Sequence, residues 1–182
     1  MGRTYEALSD VAIAWIRRQQ MFFVATAPLS EDGHVNVSPK GLDTLRILDE
    51  LTVAYLDLTG SGAETAAHLR ENGRITLMWS AFEGPPRIVR VQGRGEYVAL
   101  DDVRLAGVFP DLPGARGAVI VHADRVSDSC GFAVPRYAYQ GQRDRLVEWA
   151  AEKSAAELDG YRRLKNSTSI DGLPAIDPLI SP

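Results

Sequence analysis

"YLDLTGSGAETAAHL" (55–69) decides how this chain is read. An apolar run ending in Tyr55-Leu56 reads as a strand, and Thr59-Gly60-Ser61-Gly62 as a turn without bulky side chains. Glu64 to Leu69 then opens a helix. A strand that turns through glycines into a helix N-terminus gathers backbone N–H groups and the positive end of the helix dipole, where an anion can sit. The Gly-Lys-Ser/Thr ending of a nucleotide-triphosphate loop is missing. So are the glycine spacing and the βαβ setting of a dinucleotide fingerprint. Two readings of the loop stay open on its own residues: an anion site, or a turn in which Thr59 and Ser61 cap a short helix.

The bulk properties narrow the class. A chain of 182 residues suits a single domain over 1–182, and a second complete core would be cramped. Hydrophobic content of 45% with 24% charged residues is that of a soluble globular protein. A net charge of −4 and the lack of any basic run give no electrostatic reason to expect nucleic acid. Apolar stretches are strand-sized, so no membrane span is expected, and the N-terminus lacks a basic-then-apolar signal pattern; both predict a cytoplasmic protein. Cys130 is the only cysteine, which fits a reducing compartment. It reads as a small buried hydrophobe rather than a nucleophile, with no histidine near it in sequence.

Outward from the loop, the period switches between helix and strand. Leu8, Val11, Ala12, Trp15 and Ile16 follow the three-four spacing of an amphipathic helix. "MFFVATA" (21–27) and "HVNVSP" (34–39), joined by "SEDG", predict a hairpin. "LRILDELTVAYLDL" (45–58) predicts two strands meeting at Asp49-Glu50, and the loop helix stops at Asn72-Gly73. "RITLMWSAF" (74–82), "RIVRVQGRGEYVAL" (87–100) and "AVIVHADRVSD" (118–128) add strands, with a short helix over 101–108. From Arg143 onward, Leu146, Val147, Ala150, Ser154, Leu158, Tyr161 and Leu164 predict one long C-terminal helix, so the helix and tail occupy about 140–182. Ile170, Leu173, Ile176 and Leu179 in the tail need a surface to pack on. The fold expected is mainly β, an antiparallel barrel over about 20–128 with flanking helices, because closure removes exposed edges.

"VATAPLSEDGHVNVSPKG", then "VAYLDLTGSGAETAAHLRENGRITLMW", then "RIVRVQGRGE" resembles the FMN-binding split barrel of the pyridoxamine 5′-phosphate oxidase-like proteins. The resemblance implies an antiparallel split β-barrel that binds FMN at a homodimer interface, with the phosphate near the strand-to-helix loop. Under it, Thr59, Gly60, Ser61 and Gly62 become a phosphate loop, helped by the hydroxyls of Ser38 and Thr65. Where oxidases acting on pyridoxamine phosphate carry an Arg-Lys pair, this chain has Glu64-Thr65, and Lys40 is the candidate substitute cation. Alternation puts Ile88, Arg90 and Gln92 on one face of their strand; Arg90 is the candidate to touch the cofactor, or else a surface ion-pairing residue. Trp79 and Phe82 lie near the expected ring, though strand aromatics are commonly core residues. The substrate-recognition tail of the true oxidase has no counterpart, so pyridoxamine phosphate is not the expected substrate.

The expected function is FMN-dependent oxidoreduction of a small-molecule substrate, with hydride transfer at flavin N5 and no covalent nucleophile. Two other readings stay open. The same barrel serves reductases that use an 8-hydroxy-5-deazaflavin cofactor. A non-catalytic protein that stores or senses flavin or haem would also fit. His34, His68 and His122 are too scattered to read as a metal set, and His68 could equally face solvent.

Overall fold

The computed structural model describes residues 2–176. The elements run β1 (Arg3–Tyr5), α1 (Asp10–Ile16), β2 (Phe22–Thr26), β3 (Asn36–Lys40), β4 (Leu45–Ile47), β5 (Thr52–Leu58), α2 (Glu64–Asn72), β6 (Arg74–Ser80) and β7 (Ile88–Val98). A 3-10 turn (Val103–Leu105), β8 (Ala115–Ser129), α3 (Arg145–Ala151) and α4 (Ala155–Lys165) complete them. Seven strands form one antiparallel path, β3-β2-β6-β7-β8-β5-β4, and β1 pairs with β8 beside it.

The path curls. Alternation aims Val24, Leu77, Val89 and Val91 inward, and these share one core with Val53, Tyr55, Val119 and Val121 from the other half of the sheet. Phe22 of β2 and Tyr55 of β5 meet edge to face at 5.5 Å between ring centroids, although three strands separate them along the path. Curling therefore brings the two halves together over a shared core, with α1 contributing Ala12 and Ile16. The ladder stays open between its end strands β3 and β4, joined only by residues 41–44. Pro39 fits there because β3 pairs on one side alone. The result is the split β-barrel that the sequence predicts.

Several elements differ from expectation. β1 was not foreseen, and 101–108 contains only a 3-10 turn. Val11 points to solvent although its helical spacing assigns it to the buried face. The long C-terminal helix is two helices. Ser154 starts the second through a capping box, its hydroxyl accepting from the Glu157 N–H while Glu157 accepts from the Ser154 N–H. With the break, the continuous apolar face disappears: Leu164 is exposed and Ala150 is the buried residue of the set. In the tail, Ile176 is buried and Leu173 half-buried against Ala63, Ala66 and Ala67 of α2, so part of the surface it needs lies within its own chain. Ile170 is exposed; Leu179 lies outside the described residues. Cys130 is exposed rather than buried.

The twist of β7 against β8 is set at a register shift between Gln92 and Gly93. A Cβ on Gly93 would lie 1.9 Å from the His122 carbonyl oxygen, so the backbones approach too closely for any side chain. Gly93→Ala is expected to lower stability by about 1–3 kcal/mol, the range for an overpacked site. Gly160→Ala in α4, where no heavy atom lies within 4 Å of the added carbon, is expected to raise it by about 0.5–1 kcal/mol. Thermal unfolding of the two variants beside the parent checks both signs.

Candidate functional site

At the split, β3, the end of β5 and the start of α2 enclose a polar cleft of about 260 Å³. Its floor is a chain of charges. Lys40 Nζ lies 3.2 Å from Asp57 Oδ1, and Arg116 Nε donates to Asp57 Oδ2 at 2.8 Å. Asp57 and Arg116 are buried, with side chains 5% and 4% exposed, so this pairing joins β3, β5 and β8 in a low-dielectric setting. Burial pushes the Asp57 carboxyl up, but the charges and hydrogen bonds of Lys40 and Arg116 outweigh it and hold it below the usual carboxylate range. The same burial pushes the Tyr55 and Tyr97 hydroxyls above the ordinary tyrosine value, with the Asp57 charge adding to it, so both stay neutral.

Arg116 also organises the glycine loop. Its Nη2 donates to the Gly62 carbonyl at 2.8 Å and Nη1 to the Gly60 carbonyl at 3.4 Å. Asn166 Nδ2 donates to the Gly60 carbonyl from the other side at 2.9 Å. Thr59 is buried; its hydroxyl donates to the Gly114 carbonyl and accepts from Arg162 Nε. Neither Thr59 nor Ser61 caps α2, whose N-cap is Ala63 with no side-chain cap. The first residue of the helix takes that place: Glu64 Oε2 accepts from the Ala63 N–H at 3.1 Å, and Oε1 from the Ile170 N–H at 3.4 Å.

The expected site residues separate into two groups. Ser38, Lys40, Gly60, Gly62 and Thr65 line the cleft. Asn36 links two of them, accepting from Ser38 Oγ at 3.0 Å and donating to Thr65 Oγ1 at 3.0 Å. Ser61 is exposed on the rim. Thr59 belongs to the support behind the loop. Trp79 is 1% exposed and stacked on Phe22 in the core, because its alternation on β6 matches Ile75 and Leu77. Arg90 donates to Ser129 Oγ on the outer face of β7 and lines neither the cleft nor the groove beside it. Gly62 has no positive φ; a Cβ there would lie 2.6 Å from Glu64 Oε2. His68 is wholly buried, with Nδ1 3.0 Å from Thr26 Oγ1.

An apolar groove of about 1420 Å³ adjoins the cleft, and Pro39, Lys40, Gly41, Leu42 and Leu146 line both. Its walls include Trp15, Phe23, Phe82 and Tyr137, the last two packed ring to ring at 5.5 Å. Arg87, on the strand face opposite Arg90, borders the groove and sits over the Trp15 ring while donating to Asp128.

The family model described as pyridoxamine 5′-phosphate oxidase matches residues 8–130, which span β2 to β8. The chain belongs to the pyridoxamine 5′-phosphate oxidase family. It is 40% identical over 192 aligned residues to the pyridoxamine 5′-phosphate oxidase family protein ustO of Aspergillus flavus, covering 94% of this chain and 77% of that one. In fold it is similar to a histidine-to-alanine form of HupZ from Group A Streptococcus (TM-score 0.52, 20% identity), covering 67% of this chain and 99% of that one. It is also similar to a Clostridium acetobutylicum protein of the pyridoxinephosphate oxidase family, related to general stress protein 26 of B. subtilis (TM-score 0.52, 14% identity). That likeness covers 66% of this chain and 86% of that one.

Within the pyridoxamine 5′-phosphate oxidase family, FMN is the group to test against this cleft. The apolar groove and the hydroxyl-bearing rim suit a flat ring with a polar side chain. The phosphate does not fit. Lys40 and Arg116 both pair with Asp57, and the Glu64 carboxylate lies at the start of α2, accepting from the Ala63 N–H. A phosphate at the same start of the helix would meet the repulsion of that carboxylate. Sequence reasoning missed Asp57 and Arg116. Their signal is one charge in each of the apolar strands "TVAYLDL" and "ARGAVIV", since a charge in a buried strand needs a buried partner. Asp57→Asn strands Arg116 and is expected to cost about 3–5 kcal/mol, whereas Lys40→Ala, which leaves Asp57 its Arg116 partner, costs less. Because the folded-state Asp57 value is depressed, its contribution is full above the unfolded carboxyl value near 3.9 and is lost as pH falls through the folded value. Urea unfolding at neutral and acidic pH, on the parent and Asp57→Asn, checks that the gap between them closes in acid.

Proposed function

We propose that this chain is a flavin-dependent oxidoreductase acting on a small-molecule substrate, working as a homodimer. The observation that carries the reading is the meeting, at Lys40, of a polar cleft with an apolar groove. A flavin has that polarity, a tricyclic ring on a hydroxylated chain. Family membership supports the same conclusion. When bound, the flavin would supply hydride acceptance at N5.

The chain's own residues bind and orient. Phe23, Phe82 and Tyr137 would shield a bound ring from water, and Ser38 and Thr65, tied through Asn36, would offer hydroxyls to its side chain. Lys40 and Arg87 are the cations assigned to the negative charge of the reduced ring. Tyr55 and His68 are buried, Tyr97 is half-buried, and none of the three lines the cleft or the groove. A second copy would cover the groove and complete its outer wall.

The test is reconstitution with flavins, followed by denaturation and identification of the retained ligand by mass spectrometry. A retained flavin that is reduced by nicotinamide or dithionite and reoxidised by substrate supports the reading. Retention of a deazaflavin moves the chain to the reductases using that cofactor. A bound flavin or haem without turnover makes it a storage or sensor protein. Lys40→Ala is expected to weaken flavin binding by about 1.5–3 kcal/mol, the range for a charge-assisted hydrogen bond; unchanged affinity removes Lys40 from the site. Sedimentation of the flavin-loaded protein as a stable monomer would count against the dimer.

A further inference from the structure

Resting on the flavin reading above, we infer that Glu64 is a specificity residue that sets the cleft for a flavin ending in an uncharged polyol, as in riboflavin, rather than for FMN. The inference starts from what the cleft offers a ligand. Its ionised groups balance, with Lys40 and Arg116 against Asp57 and Glu64, so it has no net attraction for a dianion. Arg116 is committed besides, its remaining donors directed at the Gly60 and Gly62 carbonyls. The Gly60 and Gly62 carbonyl oxygens thus face that guanidinium.

Glu64 sets a negative charge beside the feature that would hold a phosphate, the start of α2. Its carboxylate lies across the start of α2, against Gly62 and bonded to the Ala63 and Ile170 N–H groups. The chain thus carries its own anion at the helix dipole, and a second anion must displace it or sit beside it. Polyol hydroxyls need the opposite arrangement, with acceptors and donors alternating. The Asp57 and Glu64 carboxylates accept, Lys40 donates, and Ser38 and Thr65 do either. Gly62 keeps this geometry, because any side chain there would push the Glu64 carboxylate away.

The experiment titrates the full chain with riboflavin and with FMN, following quenching of flavin fluorescence, for the parent and for Glu64→Gln. The parent is expected to bind riboflavin at least as tightly as FMN. Glu64→Gln keeps the shape and removes the charge, and is expected to shift the ratio of the two affinities at least tenfold toward FMN while riboflavin binding persists. A parent that binds FMN more tightly than riboflavin overturns the inference and leaves the flavin reading standing. So does an unchanged ratio in Glu64→Gln. Failure of the folded parent to bind either flavin overturns the flavin reading, and the inference with it. Far-ultraviolet circular dichroism of the variant separates lost folding from lost binding, and Gly62→Ala, which displaces the same carboxylate without removing it, is expected to shift the ratio in the same direction. A shift toward riboflavin in Gly62→Ala overturns the inference.

Discussion

The Arg116–Asp57–Lys40 pairing is the constraint around which the rest of the molecule is arranged. A sheet that curls but does not close leaves a gap between its end strands, and the backbone ladder cannot bridge it. Here buried ions bridge it. Asp57 draws β3 toward β5 through Lys40 and clamps β8 through Arg116, which in turn holds two carbonyls of the loop above. Such an arrangement is weak evidence for net stability, because desolvation consumes much of the Coulombic gain. Its value is positional: one carboxylate decides where the third strand, the loop and the start of the helix lie.

That positional role changes how the family relationship is understood. The chain belongs to the pyridoxamine 5′-phosphate oxidase family and folds as a split barrel. Of the cleft cations, Arg116 is committed to the scaffold, while Lys40 pairs with Asp57 and stays partly exposed. A shared fold does not fix the chemistry of its cleft, which is why function has to be argued from the residues there.

Much of the barrel was legible because half-buried strands alternate. β6 and β7 show their inner faces in "RITLMW" and "RIVRV", and the β2–β3 hairpin shows its turn. β1 was not legible: three exposed residues have no pattern. The break between α3 and α4 carried a readable signal, Ser154 with Glu157 three residues on, but the apolar spacing across it masked the cap. At the site, Lys40, Ser38 and Thr65 were expected from the family resemblance, and all three line the cleft. Arg90 and Trp79 could not be resolved that way. Alternation tells which face of a strand a side chain takes, whereas which face lines a cleft depends on how the sheet curls. The Asp57–Arg116 pair joins residues 59 positions apart, a separation no local pattern reports.

The supports behind the glycine loop also impose an order of events. Arg162 reaches Thr59, and Asn166 reaches Gly60, across 103 and 106 residues of chain. Leu173, Ala175 and Ile176 come later still and cover the alanine face of α2. During synthesis at about 5–20 residues per second, the last barrel strand leaves the ribosome seconds before these residues do. In that interval the strands can pair and bury their core, while the loop is held by Arg116 and Gly114 without Arg162 and Asn166. Ligand recognition thus becomes possible only after the barrel has formed, and a chain interrupted beyond Ser129 would have a shell without a finished site.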